Sequence, residues 1–358
     1  MKIIQLLPSF SYGDAIGNHT LVIRDLIAEM GYATAIYAEV IDQRLPVGTA
    51  FSDKELPELS ENDIAIYHYS TGSELNYLFG DLKCKKILIY HNITPGEFFG
   101  DYNKKARRAC NEAREAGYYL ADKVDYCIAD SEYNKRELIE MGFKCPIEVV
   151  PILVAFQDFK QKPDRKVMHK FMDNKTNIVF MGRVAPNKKH EDIIRAFAEY
   201  KKYWNKDARL FLVGGYDEAD LYYRRLKNYA EALGVKDVYF TAHIPFKSIL
   251  AYYRIADVFL CQSEHEGFCV PLLEAMYFEV PIVAYDSSAI GDTLGGTGIL
   301  LKEKDPVVTA GVLNRVVTDG ALRKQMIEQQ NLRLKDFNRE DITKKLAKCL
   351  YEVMGSVV

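Results

Sequence analysis

Residues 178–203, IVFMGRVAPNKKHEDIIRAFAEYKKY, show the structural unit that recurs along the chain. It begins with the apolar run Ile178–Met181, turns at Gly182 and continues as the periodic segment Ile193–Tyr203. A short apolar run followed by a longer periodic segment indicates a buried strand and the helix that covers it. The stretch therefore predicts one strand–loop–helix unit of an α/β fold.

Short apolar runs alternate with longer helical stretches along the whole chain, so the unit recurs. In the first half the predicted strands are Ile3–Leu7, Thr34–Ala38, Ile64–His68, Ile87–His91 and Tyr126–Ala129. In the second half they are Ile178–Met181, Leu210–Val213, Val238–Thr241, Val258–Cys261 and Ile282–Ala284. Near-continuous apolar strands joined by helices indicate parallel sheets covered on both faces. Because 358 residues exceed one ordinary core, we predict two doubly wound, Rossmann-like domains.

The domain boundary is predicted shortly after Pro151, which gives a first domain of residues 1–160 and a second of residues 161–338. The polar and basic stretch Gln157–Lys175 is interpreted as a linker or edge excursion. Residues 339–358 contain an amphipathic helix that packs either on its own domain or back on the first. Ligands of doubly wound domains bind at the carboxyl ends of the strands. We therefore expect the two domains to face each other across a cleft.

Composition excludes several classes of protein. A net charge of −3 and a pI near 6.2 argue against a nucleic-acid partner. The seven cysteines include no C-x-x-C pair, which indicates reduced thiols in the cytosol. The apolar run at the N-terminus is too short for a signal peptide or a membrane span. We therefore expect a cytoplasmic protein.

The strongest motif is EGFCVPLLE, residues 266–274, which follows the strand Val258–Cys261. Pro271 suits the first position of a helix, where its missing N–H costs nothing. The turn residues are Gly267, Phe268, Cys269 and Val270, and the backbone N–H groups of Cys269 and Val270 would then offer a phosphate site. Glu274 is placed to accept hydrogen bonds from a ribose, and Glu266 from a sugar. For two isolated glutamates, helix capping and solvation are the commoner roles.

Three further segments at strand ends carry candidate ligand groups. Gly182 lets the chain turn closely past a ligand, and Arg183 and Lys188 bring two cations to the same loop. Gly17, near the start of the first helix, is placed to approach a phosphate, although a plain turn is the commoner reading. His68 and His91 end successive strands, where an imidazole or the backbone carbonyl of His91 could meet a sugar; single histidines are more often structural.

Absent motifs narrow the chemistry. The chain contains no D-x-D triplet, no H-E-x-x-H, no G-x-S-x-G and no P-loop. We therefore predict no metal site and no cofactor. Charge on a leaving group would be neutralised by Arg183, Lys188 and the helix N-terminus.

With these motifs the sequence resembles the retaining family-4 glycosyltransferases of GT-B fold, over nearly its whole length. Glu266 and Glu274 match the family's E-G-F-G-x-P-x-x-E, and Gly182–Lys188 matches its G-R-x-x-x-x-K. LVGG at residues 212–215 and VYFTAHIP at residues 238–245 are similar to its other strand ends. In the first half the matches are to Gly17, His91 and the Ala129-Asp130-Ser131 segment.

The resemblance implies roles for these residues. Arg183 and Lys188 would hold the diphosphate, Glu274 the ribose and Glu266 the sugar hydroxyls. Ile244 would pair with the base through its backbone, and His91 would contact the sugar near the reacting carbon. His68 and Ser131 would lie on the acceptor side. The family retains anomeric configuration without a protein nucleophile and usually without a metal.

Two positions depart from the family pattern. Cys269 replaces a glycine beside the phosphate, and Ala242 stands where a glycine is common. Phe246 follows Pro245, where members that read guanine carry an acidic residue. This difference favours a UDP-sugar over a GDP-sugar.

The predicted function is transfer of a hexosyl-type group from a nucleotide sugar to a glycan or polyprenyl-linked acceptor, in cell-surface polysaccharide or glycoconjugate assembly. Glu97–Arg108 combines aromatic residues with four cations. It suits peripheral association with the inner face of a membrane, or equally an ordinary helix start with core aromatics. The alternatives are a nucleotide-sugar epimerase, a phosphorylase and a non-catalytic nucleotide-sugar-binding protein.

Overall fold

The computed structural model describes residues 1–11, 13–100 and 102–355. The chain divides into two compact units. The first contains Met1–Glu97, Lys105–Val154 and the segment from Phe337 onward, and the second contains Phe98–Lys104 and Ala155–Asp336. The main division falls after Val154, whereas the sequence placed it after residue 160.

The first unit is built on a seven-stranded parallel sheet. Its strands are β1 (Lys2–Phe10), β2 (Ala33–Ile41), β3 (Phe51–Ser52), β4 (Ile64–Tyr69), β5 (Lys85–Tyr90), β6 (Tyr126–Ala129) and β7 (Ile147–Val149). Their order is β3-β2-β1-β4-β5-β6-β7. Every residue of β4 and β6 is buried, as expected for strands covered on both faces. The order reverses between β1 and β4, which places a ligand-binding switch point at their carboxyl ends.

Four helices of the first half accompany this sheet: α1 (Ala15–Glu29), α2 (Leu75–Asp81), α3 (Lys104–Leu120) and α4 (Glu132–Glu140). Asp14 caps α1 by accepting the Gly17 N–H at 2.5 Å, and Ser131 caps α4 by accepting the Asn134 N–H at 3.1 Å. Such caps satisfy N–H groups that the first helical turn leaves without partners.

The second unit is built on a six-stranded parallel sheet. Its strands are β8 (Thr176–Met181), β9 (Ala208–Val213), β10 (Val238–Phe240), β11 (Val258–Cys261), β12 (Ile282–Tyr285) and β13 (Ile299–Leu301). Their order is β10-β9-β8-β11-β12-β13. This order reverses between β8 and β11, so the loops that follow these two strands lie side by side at the switch point.

Eight helices belong to the second unit: α5 (Arg165–Phe171), α6 (His190–Tyr203), α7 (Leu221–Ala232), α8 (Phe246–Arg254), α9 (Val270–Tyr277), α10 (Ile290–Leu294), α11 (Pro306–Thr318) and α12 (Gly320–Leu334). Helix α5 lies inside Gln157–Lys175, which the sequence predicted to be a linker or an edge excursion. Asp164 caps α5 through the Lys166 N–H at 2.8 Å and also accepts from Ser248 Oγ at 2.8 Å. The segment is therefore an ordered part of this unit. Its polarity reflects a mostly solvent-exposed helix that buries Phe171.

The last helix, α13 (Arg339–Gly355), groups with the first unit. Tyr126 donates a hydrogen bond to Glu352 at 2.8 Å. The apolar face expected from the sequence is buried, and it consists of Ile342, Leu346, Leu350 and Val353.

All ten predicted strands overlap observed ones, and the α/β class with two doubly wound, Rossmann-like parallel sheets is confirmed. The three unpredicted strands, β3, β7 and β13, are two or three residues long. Within the described ranges, none of the helices combines the length and the apolar character that crossing a bilayer requires.

Candidate functional site

The loops after β8 and β11 are joined by the side chain and backbone of one residue, Asn187. Its amide nitrogen donates to the carbonyl oxygen of His265 at 3.0 Å, and its own carbonyl accepts from the Glu264 N–H at 2.9 Å. Asn187 is buried. These contacts hold the two loops together at the switch point of the second sheet.

Lys188 and Glu266 form an ion pair between these two loops. Lys188 Nζ lies 2.5 Å from Glu266 Oε2, and the two side chains are 22% and 8% exposed. Burial alone would lower the pKa of Lys188, but the attraction of the Glu266 carboxylate outweighs it and the pKa is raised. Lys188 is therefore a cation at neutral pH, and its carboxylate partner is oriented beside it.

Arg183 adds a second cation at the end of β8. Its side chain is exposed, and it makes no ion pair or side-chain hydrogen bond within the described residues. The backbone on either side is fixed, because the Gly182 N–H donates to Val213 O at 2.9 Å and the Val184 N–H to Gly215 O at 3.0 Å. The guanidinium therefore projects from a rigid turn.

The two strand ends that carry this turn touch through their backbones. A Cβ atom on Gly214 would lie 2.1 Å from the carbonyl oxygen of Gly182. Only glycine fits at position 214, which explains the glycine at the end of β9.

Helix α9 begins beside the ion pair. It starts at Val270, one residue before the Pro271 start expected from the sequence, and Cys269 is its N-cap residue in the left-handed conformation, with φ of 68°. Such a conformation is uncommon for a residue with a side chain. No described residue accepts a hydrogen bond from the N–H of Cys269 or Val270. These groups and the helix dipole make the turn a site for an anion.

Two residues of the EGFCVPLLE motif, Phe268 and Glu274, are fixed by hydrogen bonds from neighbouring residues. Phe268 is buried, and its carbonyl accepts from Thr293 Oγ1 at 2.5 Å. Glu274 accepts from Tyr253 OH at 2.5 Å. Burial raises the pKa of Glu274, and the Tyr253 hydrogen bond offsets part of that rise. One carboxylate oxygen of Glu274 is thus fixed by Tyr253, and the other can accept a hydrogen bond from a ligand.

The loop between β10 and α8 contains Ile244, the predicted base-binding residue, which is half-buried. Ala242 forms an isolated bridge with Gly214, which brings this loop next to the β9 end. The φ of Ala242 is 58°. The left-handed conformation accounts for the glycine that the family pattern has at this position.

The first unit contains a buried chain of polar side chains at the ends of β4, β5 and β6. His68 Nδ1 lies 2.9 Å from His91 Nε2, and His91 Nδ1 lies 2.8 Å from Asp130 Oδ2. His68 Nε2 lies 3.0 Å from Gln5 Oε1 and 3.3 Å from Thr20 Oγ1. The structure thus brings together the two predicted histidines with three residues that the sequence analysis did not single out.

The hydrogen bonds of Gln5 and Thr20 determine which ring nitrogens of His68 and His91 carry protons. Gln5 Nε2 donates to Thr20 O, so Gln5 Oε1 is an acceptor, and Thr20 Oγ1 already donates to Ile16 O. His68 therefore donates from Nε2, and as a neutral ring it accepts at Nδ1 from the Nε2–H of His91. Burial holds the pKa of His68 well below its ordinary value, which agrees with a neutral ring.

One more proton lies between His91 Nδ1 and Asp130. His91 already carries a proton on Nε2, so the 2.8 Å contact with the carboxylate requires a second proton on one of the two groups. Both ring nitrogens of His91 are occupied, and its side chain is only 1% exposed. The residue as a whole is half-buried, so its accessible surface belongs to the backbone. The expected contact of the His91 ring with a sugar is therefore blocked in this structure.

Gly17 and Ser131 serve the local structure. The N–H of Gly17 is bound by Asp14, and a Cβ atom there would lie 2.7 Å from Asp14 Oδ1 and 2.9 Å from Ser11 O. Gly17 is required by this packing rather than held open for a phosphate. Ser131 is buried and caps α4.

His19 and Asp130 are two of the buried polar residues that the sequence did not predict. His19 is fully buried, and neither of its ring nitrogens has a hydrogen-bond partner among the described residues. The signal was available for Asp130, because it lies in the quoted Ala129-Asp130-Ser131 segment. His19 had no such signal, since it follows the glycine-containing loop as one of many helical residues.

The aromatic residues of Glu97–Arg108 pack on protein. The Phe98 ring lies 5.9 Å from that of His265, and the Tyr102 ring lies 5.3 Å from that of Tyr222. Phe99 is buried, and Asp101 lies outside the described residues. These contacts lie within the second unit, to which Phe98–Lys104 belongs, and they favour the alternative interpretation of an ordinary helix start with core aromatics.

Comparison with known proteins identifies related sequences. Residues 161–333 match the model of the family "Glycosyl transferases group 1". An uncharacterized glycosyltransferase of Methanocaldococcus jannaschii is 26% identical over 76% of this chain and 70% of its own length. A D-inositol 3-phosphate glycosyltransferase of Kineococcus radiotolerans is 27% identical over 63% of this chain, which spans only 56% of that protein.

Solved structures agree in fold over nearly the full chain. Anabaena HepE, determined in complex with UDP and glucose, has a TM-score of 0.78 at 16% identity and covers 98% of this chain and 100% of its own. At this identity the match shows the fold alone. The GT-B fold implied by the sequence resemblance is confirmed.

Proposed function

We propose that the chain transfers a hexosyl-type group from a nucleotide sugar with retention of configuration, because residues 161–333 match the model of the group 1 glycosyl transferases. The observation that carries this proposal is the buried Lys188–Glu266 pair beside Arg183 and the N-terminus of α9. A cation, a carboxylate and free N–H groups meet there at the switch point of a doubly wound sheet.

The donor diphosphate would bind at this point. Arg183 and Lys188 supply two positive charges, and the N–H groups of Cys269 and Val270 supply donors aligned with the helix dipole. When Lys188 turns to the phosphate, Glu266 is released to accept hydrogen bonds from sugar hydroxyls. With two cations and a helix N-terminus, the leaving group is stabilised without a metal at the diphosphate.

The nucleoside would extend from the diphosphate toward Glu274 and Ile244. Glu274 accepts hydrogen bonds from the ribose while Tyr253 holds its other oxygen. The backbone of Ile244 pairs with the base. Phe246 after Pro245 supports a uridine donor over a guanosine donor.

The transfer step needs no protein nucleophile. The bond from the anomeric carbon to the diphosphate oxygen breaks as the acceptor hydroxyl attacks on the same face, and the hydroxyl proton passes to the departing phosphate. The backbone carbonyl of His91 is the group of that residue that would face the sugar, because its ring is buried and both ring nitrogens are occupied.

The acceptor would be a glycan or polyprenyl-linked sugar in cell-surface polysaccharide or glycoconjugate assembly. Peripheral binding at the inner face of a membrane would rest on the exposed cations Lys104, Lys105 and Arg107 at the start of α3. Sedimentation with phosphatidylglycerol vesicles at low salt tests this part. If the chain stays in the supernatant, the membrane is not involved.

The test of the function is a thermal-shift screen across UDP-, GDP- and TDP-sugars, followed by product analysis with glycan and polyprenyl-linked acceptors. A bound donor stabilises the fold by mass action, and we expect UDP-sugars to raise Tm most. The anomeric configuration of the product, read by NMR, tests retention. Epimerised or phosphorolysed donor without glycoside, or binding without turnover on any acceptor, would favour the alternative activities named above.

A further inference from the structure

A second cluster of ligand-type side chains lies in the first unit, and these side chains have no part in the proposed transfer, which uses only the backbone carbonyl of His91. It consists of His19 on α1, His91 directly after β5 and Asp130 directly after β6. One ligand atom from each of the three lies within 4.8 Å of the other two. The side chains of His91 and Asp130 are 1% and 0% exposed, and His19 is fully buried.

This cluster contains polar atoms that lack partners. Both ring nitrogens of His19 and the Oδ1 atom of Asp130 are buried and make no hydrogen bond within the described part of the chain. Leaving buried polar groups without partners is unfavourable. Unpartnered buried polar atoms in a cluster whose ligand atoms lie within 4.8 Å of one another indicate that a polar group belongs there.

The chemistry of the donor set points to a metal ion. Two imidazole nitrogens and a carboxylate oxygen suit zinc and similar transition metals better than magnesium, which prefers oxygen ligands. Burial and the neighbouring His91 lower the pKa of His19 to about 3, so its ring is neutral and has a lone pair to offer.

We propose that His19, His91 and Asp130 form a binding site for a divalent transition metal ion such as Zn²⁺. The ion takes the position of the proton shared by His91 Nδ1 and Asp130, which leaves to solvent. His68, hydrogen-bonded to His91 Nε2, orients the ring as the outer partners of metal-bound histidines do.

A second group of candidate ligands, Cys261, Glu266 and Cys269, is the natural comparison. There Glu266 is already paired with Lys188. The ammonium group both occupies the carboxylate and repels a second cation. This group therefore serves as a control, and its two cysteines can be removed without touching the proposed site.

His190 provides a matched control for His19. It too is fully buried with both ring nitrogens unpartnered in the described residues. No other histidine, cysteine or carboxylate forms a three-ligand group with it there. Replacing either histidine by leucine removes one buried imidazole, but only His19→Leu removes a proposed ligand.

The experiment is equilibrium dialysis of the full chain against Zn²⁺, with Co²⁺ as a spectroscopic probe, after treatment with a chelator. We expect one ion per chain in the wild type, in His190→Leu and in the Cys261→Ser/Cys269→Ser double variant. His19→Leu and Asp130→Asn should each weaken binding by at least about tenfold. Circular dichroism identifies a variant that fails to fold.

If a variant misfolds, the Co²⁺ spectrum of the wild type still tests the proposal. The wild type should show ligand-field bands without a thiolate charge-transfer band. Absence of stoichiometric binding, unchanged affinity in His19→Leu, or binding lost with the two cysteines would each overturn the proposal. Donor binding by the second unit is measured in a separate experiment, so failure of the metal proposal would not contradict the proposed function.

Discussion

At the residue scale, the Lys188–Glu266 pair leads to the most direct prediction. Lys188→Ala removes a half-buried cation that we assign to the leaving diphosphate. Loss of such a charge from a transition state costs on the order of 2–4 kcal/mol, so kcat/KM should fall about 30- to 1000-fold. Initial rates of transfer from the preferred nucleotide sugar measure this.

Lys201→Ala is the control for that substitution. Lys201 Nζ lies 2.5 Å from Asp237 Oδ2 and its side chain is 16% exposed, so it forms a comparable ion pair in the same unit. It links the C-terminal part of α6 to the start of β10, away from the carboxyl ends of the strands. If the two variants lose equal activity, Lys188 has only a structural role.

Cys269 tests the one departure in the donor loop. Its φ of 68° suits glycine, and a β-branched residue there is strained by about 1–3 kcal/mol. Cys269→Val should therefore lower Tm and donor affinity, whereas Cys269→Gly should keep both near wild type. Thermal unfolding and donor titration measure the two effects.

Cys261→Val provides the comparison for the Cys269 substitutions. Cys261 is fully buried in β11, in extended conformation that favours branched residues. Replacing cysteine by valine should therefore destabilise the fold less at position 261 than at position 269. Equal destabilisation by the two valines would show that volume, and not backbone conformation, decides the outcome.

Single residues also show where sequence reasoning ends. Glu266 and Lys188 could be predicted because each follows a strand within a recognisable motif. The role of the His91 ring could not, because its partners His68 and Asp130 lie 23 and 39 residues away. Only the folded sheet brings them together, and there they bury the ring that a strand-end position would expose.

At the scale of elements, the close approach of β8 and β9 positions the Arg183 turn. Gly214→Ala places a Cβ atom 2.1 Å from the Gly182 carbonyl oxygen, so the strand ends must separate. Overpacking of this kind costs about 1–3 kcal/mol. We expect a lower Tm and weaker donor binding, measured by thermal unfolding and titration.

Gly215→Ala is the neighbouring control, because a Cβ atom there meets nothing within 4 Å. Its stability should stay near that of the wild type. A Gly214→Ala variant as stable and as tight-binding as Gly215→Ala would contradict the proposed contact.

A strand or helix could be predicted from the sequence where its own residues form a clear hydrophobic pattern. β4 and β6 are continuous apolar runs, and their sequence alone defines them. β3, β7 and β13 contain two or three residues and exist because a neighbouring strand offers hydrogen bonds. Helix α5 was missed because its polar, basic residues carry only a weak periodic signal.

At the scale of the whole molecule, both units bury a neutral histidine. His19 in the first unit and His190 in the second each have a pKa of about 3, lowered chiefly by burial. His91 acts further on His19, and Lys188 on His190. Around His190 lie Phe180 of β8 and Tyr222 of α7, which donates to Glu191. Both rings therefore stay neutral in the folded protein at pH values well above 3.

The sign of the resulting pH dependence follows from these pKa values. The unfolded chain binds a proton at each histidine below about pH 6.5 and the folded chain does not, so stability is full above that pH and falls toward pH 3. Buried carboxyl groups with raised pKa, such as Glu274, oppose this loss. They are common to wild type and variant, so a difference between the two isolates one histidine.

His190→Leu should therefore be less acid-sensitive than the wild type. A single histidine contributes about 1.4 kcal/mol per pH unit, so lowering the pH from about 6.5 to about 5 should cost the wild type about 2 kcal/mol more than the variant. Urea unfolding of both chains across this range measures the difference. Parallel profiles would mean that His190 is protonated in the folded protein, and that a partner or solvent reaches a ring that the structure leaves buried and unpaired.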